Sequence, residues 1–248
     1  MSAVEFRGVH YRIGGRTVLD NLTLSVEPGE TLVLLGRSGS GKTTALRLIN
    51  GMILPTAGEV RVGGRPTPDW DPVRLRRGIG YVIQEGGLFP HFTVARNVGL
   101  VPLLEGWQPE RIGARVADLL DRVNLPSRDF SRRFPRELSG GQRQRVGVAR
   151  ALAADPAVLL FDEPFGALDP VTRLDLQREF LRLRAELGKT SVFVTHDVRE
   201  AMKIATRIAL LHEGRLAFLG LPGAFRDSPH PEARAFLDVL LEGADSAE

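Results

Sequence analysis

The sequence predicts an α/β protein: a mostly parallel core sheet flanked by helices, with an N-terminal antiparallel β part and a helical insertion. Three observations predict it. Short, almost wholly apolar runs at Leu32–Leu35, Ile79–Ile83, Val158–Phe161 and Ser191–Val194 read as strands buried on both faces. Segments of helical periodicity lie between them. Residues 3–11 and 17–26 instead alternate apolar and polar around Gly14-Gly15, as two antiparallel half-buried strands do.

In chain order, Glu27-Pro28-Gly29-Glu30 turns the antiparallel pair into the run Leu32–Leu35. A glycine-rich turn follows, and Ala45–Ile49 resumes with helical character before Gly51. Pro55–Gly58 is a turn, Glu59–Val62 a short strand, and Ile79–Ile83 a buried strand closed by Gln84. Between 85 and 137 the texture changes. A loop from Gly86 to Thr93 leads to helical pieces from Val94 to Leu104. Ile112, Val116, Leu119, Leu120 and Val123 then recur at helical spacing behind Pro109, a good first-turn residue. Leu138-Ser139-Gly140-Gly141-Gln142 opens a helix whose stripe is Val146, Ala149, Leu152 and Ala153, ended by Asp155-Pro156. Val158–Phe161 closes on Asp162-Glu163-Pro164. Leu176, Phe180, Leu183 and Leu187 mark a helix, and Ser191–Val194 runs into Thr195-His196-Asp197. Arg207–His212 and Arg215–Leu219 read as strands, and Ala233, Phe236, Leu237, Leu240 and Leu241 lie on a last helix. The expected division is one domain over 1–248. Its core comes from 1–84 and 138–220, its helical part from 85–137, and its helical tail from 221–248.

Composition narrows the classes. With 248 residues, 43% hydrophobic and 25% charged, the chain is an ordinary globular protein with a substantial core. It has no cysteine, which excludes disulfides and thiolate metal sites. No N-terminal signal segment is legible, and no apolar run approaches the ~20 residues that span a bilayer. Any membrane role is therefore expected through a partner. Net charge is +3, and 30 acids are interspersed among 33 basic residues. No basic block with interleaved aromatics marks a nucleic-acid surface. Lysine is rare: Lys42, Lys189 and Lys203 alone.

Lys42 stands where a compact ammonium is needed. Gly36-Arg37-Ser38-Gly39-Ser40-Gly41-Lys42-Thr43-Thr44 fits Gly-x4-Gly-Lys-Thr between a strand and a helix, the setting of a P-loop. A triphosphate is held by backbone N–H groups converging on a helix N-terminus. Side chains at Gly36, Gly39 and Gly41 would block that approach or forbid the backbone angles. Lys42 can reach the β- and γ-phosphates, and the Thr43 hydroxyl can ligate Mg²⁺. The motif implies a bound nucleoside triphosphate.

Three further groups close buried strands, where open α/β sheets bind ligands. Asp162 stands where P-loop proteins hold Mg²⁺, and Glu163 beside it can polarise an attacking water. His196 is a γ-phosphate contact by position, although a lone histidine is commonly a surface or core group. Gln84 can ligate Mg²⁺ or a water through its amide oxygen. Ser139-Gly140-Gly141-Gln142 is a second phosphate cradle at a helix start. Two cradles and one such lysine suggest nucleotide sandwiched between two copies.

Taken together, these residues resemble an ABC transporter ATPase subunit. The likeness comprises the P-loop 36–43, the Q-loop Gln84, the signature Leu138–Gln142, the Walker B segment 158–163, the D-loop Ala167-Leu168-Asp169 and the switch His196, in family order. It implies a P-loop NTPase fold of the ABC type, ATP and Mg²⁺ as ligands, and an ATP-dependent head-to-tail homodimer. By matching positions it implies Glu163 as general base, Asp162 at the Mg²⁺ site, His196 on the γ-phosphate and Asp169 contacting the other copy. The helical part 85–137 would receive a helix from an integral membrane permease, served indirectly by a solute-binding protein. That puts the chain on the cytoplasmic face of the cell membrane, with no nucleic-acid partner.

A narrower likeness is to importers of glycine betaine, choline and related osmoprotectants. It is carried by Arg76–Gln84, Gly87–His91, Leu100–Leu104, Phe134–Leu138 and Phe165–Thr172. Importers of other solutes, such as amino acids or sulfonates, and ABC ATPases acting on nucleic acid or ribosomes are the alternatives. Two positions depart from the family. The adenine-stacking aromatic, 23 residues before Gly36, is replaced by Ile13, and Tyr11 is expected on the same strand face. Many osmoprotectant ATPases carry a C-terminal pair of regulatory domains; the sequence stops at Glu248, so ionic-strength sensing by such a module is not expected. The permease is expected to meet Gly87–Phe92 and Val94–Leu104, where Leu88, Phe89 and Phe92 either fill a local core or form an exposed patch.

Overall fold

The computed structural model describes residues 2–84 and 86–245, without the side chains of 241–245. Glu85, residues 246–248 of the expected tail and the Leu241 side chain thus lie outside the described residues. In chain order the elements are β1 (Val4–Ile13), β2 (Arg16–Val26), β3 (Thr31–Leu35), α1 (Lys42–Ile49), β4 (Ala57–Val62), β5 (Arg65–Pro66), α2 (Pro72–Arg77) and β6 (Ile79–Val82). There follow α3 (Val94–Leu104), α4 (Pro109–Arg122), α5 (Ser127–Phe130), α6 (Gly140–Leu152), β7 (Val158–Asp162) and α7 (Pro170–Leu187). The last are β8 (Thr190–Thr195), α8 (Val198–Ile204), β9 (Arg207–His212), β10 (Arg215–Gly220), α9 (Pro222–Arg226) and α10 (Pro231–Asp245). The chain forms two compact units, Met1–Leu75 with Thr190–Glu248, and Arg76–Lys189.

In the first unit β1 pairs antiparallel with β2 and β4, and alternate residues Val4, Phe6, Leu22, Leu24 and Val60 are buried. This alternation is what the sequence shows. β3 is different: every residue is buried, with β8 and β9 pairing in parallel on its two edges and α8 packed against it. β10 adds to β9 antiparallel. α8 packs on β3 and β8, and α10 packs on α8, α9 and β10.

In the second unit β6 and β7 run parallel, Ile79 opposite Val158 and Val82 opposite Phe161. α6 covers β6 and meets α3, α4 and α7. Its stripe Val146 and Ala149 joins Val94, Val98, Val116, Leu119 and Leu120 in one buried cluster. Each valine or leucine among them contributes about 1.5–3 kcal/mol relative to exposure. Glu179 of α7 pairs with Arg145 of α6 and accepts from Asn124 at 2.8 Å, so a charged pair crosses that apolar contact. Burial pushes the Glu179 carboxyl up, partly offset by Arg145.

Some expectations shift. α1 starts at Lys42 rather than Ala45, so the lysine belongs to the first turn. β6 ends at Val82, and Ile83, expected in the buried strand, is 37% exposed. Helices α2, α8 and α9, of 6, 7 and 5 residues, are too short for periodicity to show. Of Leu88, Phe89 and Phe92, none is buried: Phe89 is exposed and the other two half-buried. Their stretch forms an aromatic cluster, with Phe92 ring centroids 5.3 Å from Phe89 and 4.5 Å from His91. Among the described residues no helix is long and apolar enough to cross a membrane.

Candidate functional site

The first unit contains the P-loop. β3 ends at Leu35, and Gly36 takes φ 157°, Gly39 φ 79° and Gly41 φ 103° before α1 begins. A Cβ on Gly36 would lie 2.4 Å from the Leu211 carbonyl oxygen and 2.6 Å from Ser40 Oγ. One on Gly41 would lie 2.6 Å from Leu19 Cδ2. Bare backbone is therefore required at both. Gly41 caps α1 with no side chain, which leaves the amides of the first turn to a ligand. Lys42 is 5% exposed, and its Nζ donates to the carbonyls of Gly36 at 2.7 Å and Arg37 at 2.8 Å. Among the described residues, Ser40 Oγ is buried with no hydrogen-bond partner. A cradle that a Cβ would fill, a buried ammonium and an orphaned hydroxyl all fit a phosphate chain. Thr43 and Thr44, next in the turn of α1, are half-buried.

His196 lies in the same unit. β8 is the parallel neighbour of β3 with Leu35 opposite Thr195, so Gly36 and His196 leave adjacent strands at the same level. Thr195 Oγ1 donates to Glu200 at 2.7 Å, and Asp197 caps α8 through the Arg199 and Glu200 amides. These bonds fix the turn that bears His196.

The second unit brings together Gln84, Asp162 and Glu163. Val82 pairs with Phe161, so Asp162, the last residue of β7, and Glu163 just after it lie at the same end of the two strands as Gln84. Around Gly166, a built Cβ would lie 3.3 Å from Gln84 Nε2 and 3.8 Å from Glu163 Oε2, so amide and carboxylate approach one point. Asp162 Oδ2 accepts from the Tyr81 hydroxyl at 3.1 Å. Glu163 has φ 47°, a left-handed conformation for a side-chain-bearing residue and a form of strain found at functional positions.

Ser139 caps α6, accepting from the Gln142 amide at 3.2 Å, while Gln142 Oε1 accepts from the Ser139 amide at 2.9 Å. Thr172 packs on Gly141, where a Cβ would meet its Cγ2 at 2.4 Å, and a Cβ on Gly140 would meet Leu168 at 3.6 Å. The turn thus rests on the segment bearing Asp169. Asp169 caps α7 with Oδ1 on the Thr172 amide at 3.0 Å. That bond holds its carboxyl below the usual range. Tyr81 beside Asp162 and Gly166 between Gln84 and Glu163 were not singled out by sequence reasoning, since strand pairing reveals the first and the folded turn after β7 the second.

A parallel β3–β8–β9 core with a P-loop feeding a helix defines a nucleotide-binding protein of the P-loop class. The comparisons carry this further: the ABC transporter family pattern matches residues 19–166, and the chain belongs to that family. It is 49% identical over 214 residues to the osmoprotectant import ATP-binding protein OsmV of Salmonella typhimurium, covering 86% of this chain and 56% of that protein. It is 48% identical over 219 residues to the choline transport ATP-binding protein OpuBA of Bacillus subtilis, covering 88% and 57%. The chain thus spans little more than half the length of these relatives. A solved structure of the ATP-binding cassette MJ0796, a dimer in a post-hydrolysis state bound to ADP and Pi, superposes with TM-score 0.78 at 36% identity. The match covers 88% of this chain and 98% of that one.

Proposed function

We propose that this chain is the ATP-hydrolysing subunit of an importer whose cargo is a quaternary-ammonium osmoprotectant such as glycine betaine, choline or carnitine. The observation that carries the reading is the likeness, over 86% and 88% of the chain, to relatives named for osmoprotectant import and choline transport. ATP is the substrate. Lys42 and the amides of Gly36–Thr44 bind its phosphates. Thr43, Gln84 and Asp162 offer hydroxyl, amide and carboxylate oxygens, the hard donors Mg²⁺ prefers. When bound, Mg²⁺ neutralises charge on the phosphates. Glu163 takes the proton of the attacking water, and His196 contacts the γ-phosphate.

The same reading assigns Ser139–Gln142 and Asp169 to the partner side of a head-to-tail homodimer closed by ATP. It keeps 85–137 as the helical subdomain that docks on an integral membrane permease, with 1–84 and 138–220 as the ATP-binding core and 221–248 as tail. Exposed Phe89, Leu103 and Leu104 supply an apolar surface for that docking. The chain then works at the cytoplasmic face of the cell membrane, fed indirectly by a solute-binding protein and without nucleic acid. The test is uptake by the chain assembled with its native permease. ATP-dependent uptake of betaine, choline or carnitine is expected, and Phe89→Ala should uncouple hydrolysis from it. Uptake of an unrelated solute, with none of these competing, overturns the cargo and leaves the ATPase reading intact.

A further inference from the structure

We infer that Glu232, in the first turn of α10, is a positioning residue for the P-loop and acts through Arg37. The inference rests on the reading of Gly36–Thr44 as the triphosphate site and adds to it an element 195 residues away in sequence.

The Arg37 side chain is 68% exposed, yet its Nε–H donates to Glu232 Oε1 at 2.7 Å, and Glu232 is only 8% exposed. Both residues belong to the first unit. An ion pair between two exposed side chains is worth little, because both must be immobilised. Here one partner is already fixed. The Glu232 amide donates to His230 Nδ1 at 3.2 Å, and the His230 amide to Ser228 Oγ at 3.3 Å, which sets the start of α10. Glu232 Oε2 lies 3.5 Å from His212 Nδ1 at the end of β9. The partial positive charge of the helix start favours the carboxylate further.

Arg37 is also where the loop controls its lysine. The Arg37 carbonyl accepts from Lys42 Nζ at 2.8 Å and from the Ser40 amide at 3.2 Å. Gly36 supplies the other carbonyl on Lys42, and its Cα faces the Leu211 carbonyl so closely that no Cβ fits. The end of β9 therefore braces Gly36 through its backbone, and the start of α10 braces Arg37 through its side chain. The two residues that aim the ammonium are held before any ligand arrives. Such preorganisation raises affinity by removing the ordering cost of binding. The Glu232 carboxylate also holds the Arg37 guanidinium on α10.

The probes are ATP and inorganic tripolyphosphate, which has no base, titrated calorimetrically into the full chain. Arg37→Ala and Glu232→Gln should each weaken both ligands about tenfold, the scale of one charge-assisted hydrogen bond. The double variant should be no weaker than Arg37→Ala alone, since Glu232 acts only through Arg37. Arg37→Lys, which keeps a cation facing Glu232, should recover most of the loss. Arg37→Ala deletes an exposed side chain and should unfold at the wild-type temperature, so its loss reads the loop and not the fold. Wild-type affinity in both single variants overturns the inference. So do additive losses in the double variant, and an Arg37→Ala loss accompanied by an equally lowered unfolding temperature. If the wild-type chain binds neither ligand, the triphosphate reading falls with it; if the wild type binds and the variants match it, only the role of Glu232 falls.

Discussion

At the start of α1 the glycines are dictated by backbone: Gly36, Gly39 and Gly41 all have positive φ, and the cap has no side chain to satisfy the first amides. At the start of α6, Gly140 and Gly141 have no positive φ, and the Ser139–Gln142 capping box satisfies two donors from within the chain. The first start also carries the buried Lys42, held by two loop carbonyls. At the second, Arg143 in the first turn donates to the Leu138 carbonyl at 2.7 Å. The difference teaches that a glycine at a helix start has two physical meanings. On the proposed function, one start is an anion site able to work alone, and the other a largely self-satisfied surface that completes a site presented to it.

The sharpest way to break the comparison is Lys42→Ala. It removes the positive charge and leaves the carbonyls of Gly36 and Arg37 without their ammonium. Hydrogen bonds to charged groups contribute about 1.5–3 kcal/mol each, so an ammonium that donates to two phosphate oxygens predicts a loss of two orders of magnitude or more in ATP affinity when removed. Calorimetric titration checks it. Removal of the Ser139 hydroxyl in Ser139→Ala should leave single-chain ATP affinity unchanged in the same assay. Equal losses in both variants would erase the distinction.

Next comes Glu163→Gln. Glutamine keeps the size and the hydrogen bonds of glutamate but accepts no proton, and the φ 47° backbone strain is the same for both. Hydrolysis should fall by ~10²–10⁴ while ATP still binds. With turnover blocked, size-exclusion chromatography in ATP and Mg²⁺ should show a dimer accumulating. A variant that stays monomeric and fully active would remove both the base and the dimer from the reading.

The two signature glycines then separate from each other. An alanine Cβ at Gly140 makes only ordinary contact at 3.6 Å, whereas at Gly141 it strikes Thr172 at 2.4 Å. Gly140→Ala should thus keep the fold, within the ±0.5 kcal/mol of a surface substitution. Placed in the Glu163→Gln background, it should weaken ATP-driven dimerisation about tenfold, by adding a side chain to the surface offered to the other copy's phosphates. Gly141→Ala should instead lower the unfolding temperature. An undiminished dimer in the Gly140→Ala chain would show that the α6 start does not face nucleotide.

What the sequence made legible follows from the range of each interaction. β3, β7 and β8 were legible because burial on both faces leaves each with a short unbroken apolar run, Leu32–Leu35, Val158–Phe161 and Val192–Val194. The P-loop was legible because its constraints fall within nine consecutive residues, Gly36 to Thr44. The Tyr81–Asp162 bond and the Arg37–Glu232 pair join residues 81 and 195 positions apart, and such contacts leave no periodic trace. Asp197 and Glu200 did carry a capping signal for α8, but a helix of 7 residues adds too few apolar positions to be noticed beside it.

The smallest expected effect concerns the base rather than the phosphates. Ile13 ends β1 opposite Arg16 and is 60% exposed, while Tyr11 pairs with Leu19, the residue that abuts Gly41. The ladder shifts register between Tyr11 and Arg12, so the expectation that Tyr11 and Ile13 share a face does not follow from alternation. An aliphatic Ile13 offers adenine surface to bury but no stacking preference, which for a ring is worth roughly 0.5–1.5 kcal/mol beyond area. Affinity should then rest on the phosphates, with ATP favoured over GTP by less than a few tens-fold in competition binding. Ile13→Tyr should raise ATP affinity by a factor of roughly 2–10, the same energy expressed as a ratio. Tripolyphosphate affinity should not change with it, since that ligand has no ring to stack. A strong ATP preference in the wild type, abolished by Tyr11→Ala, would move the base contact from Ile13 to Tyr11 and leave the phosphate assignments as they stand.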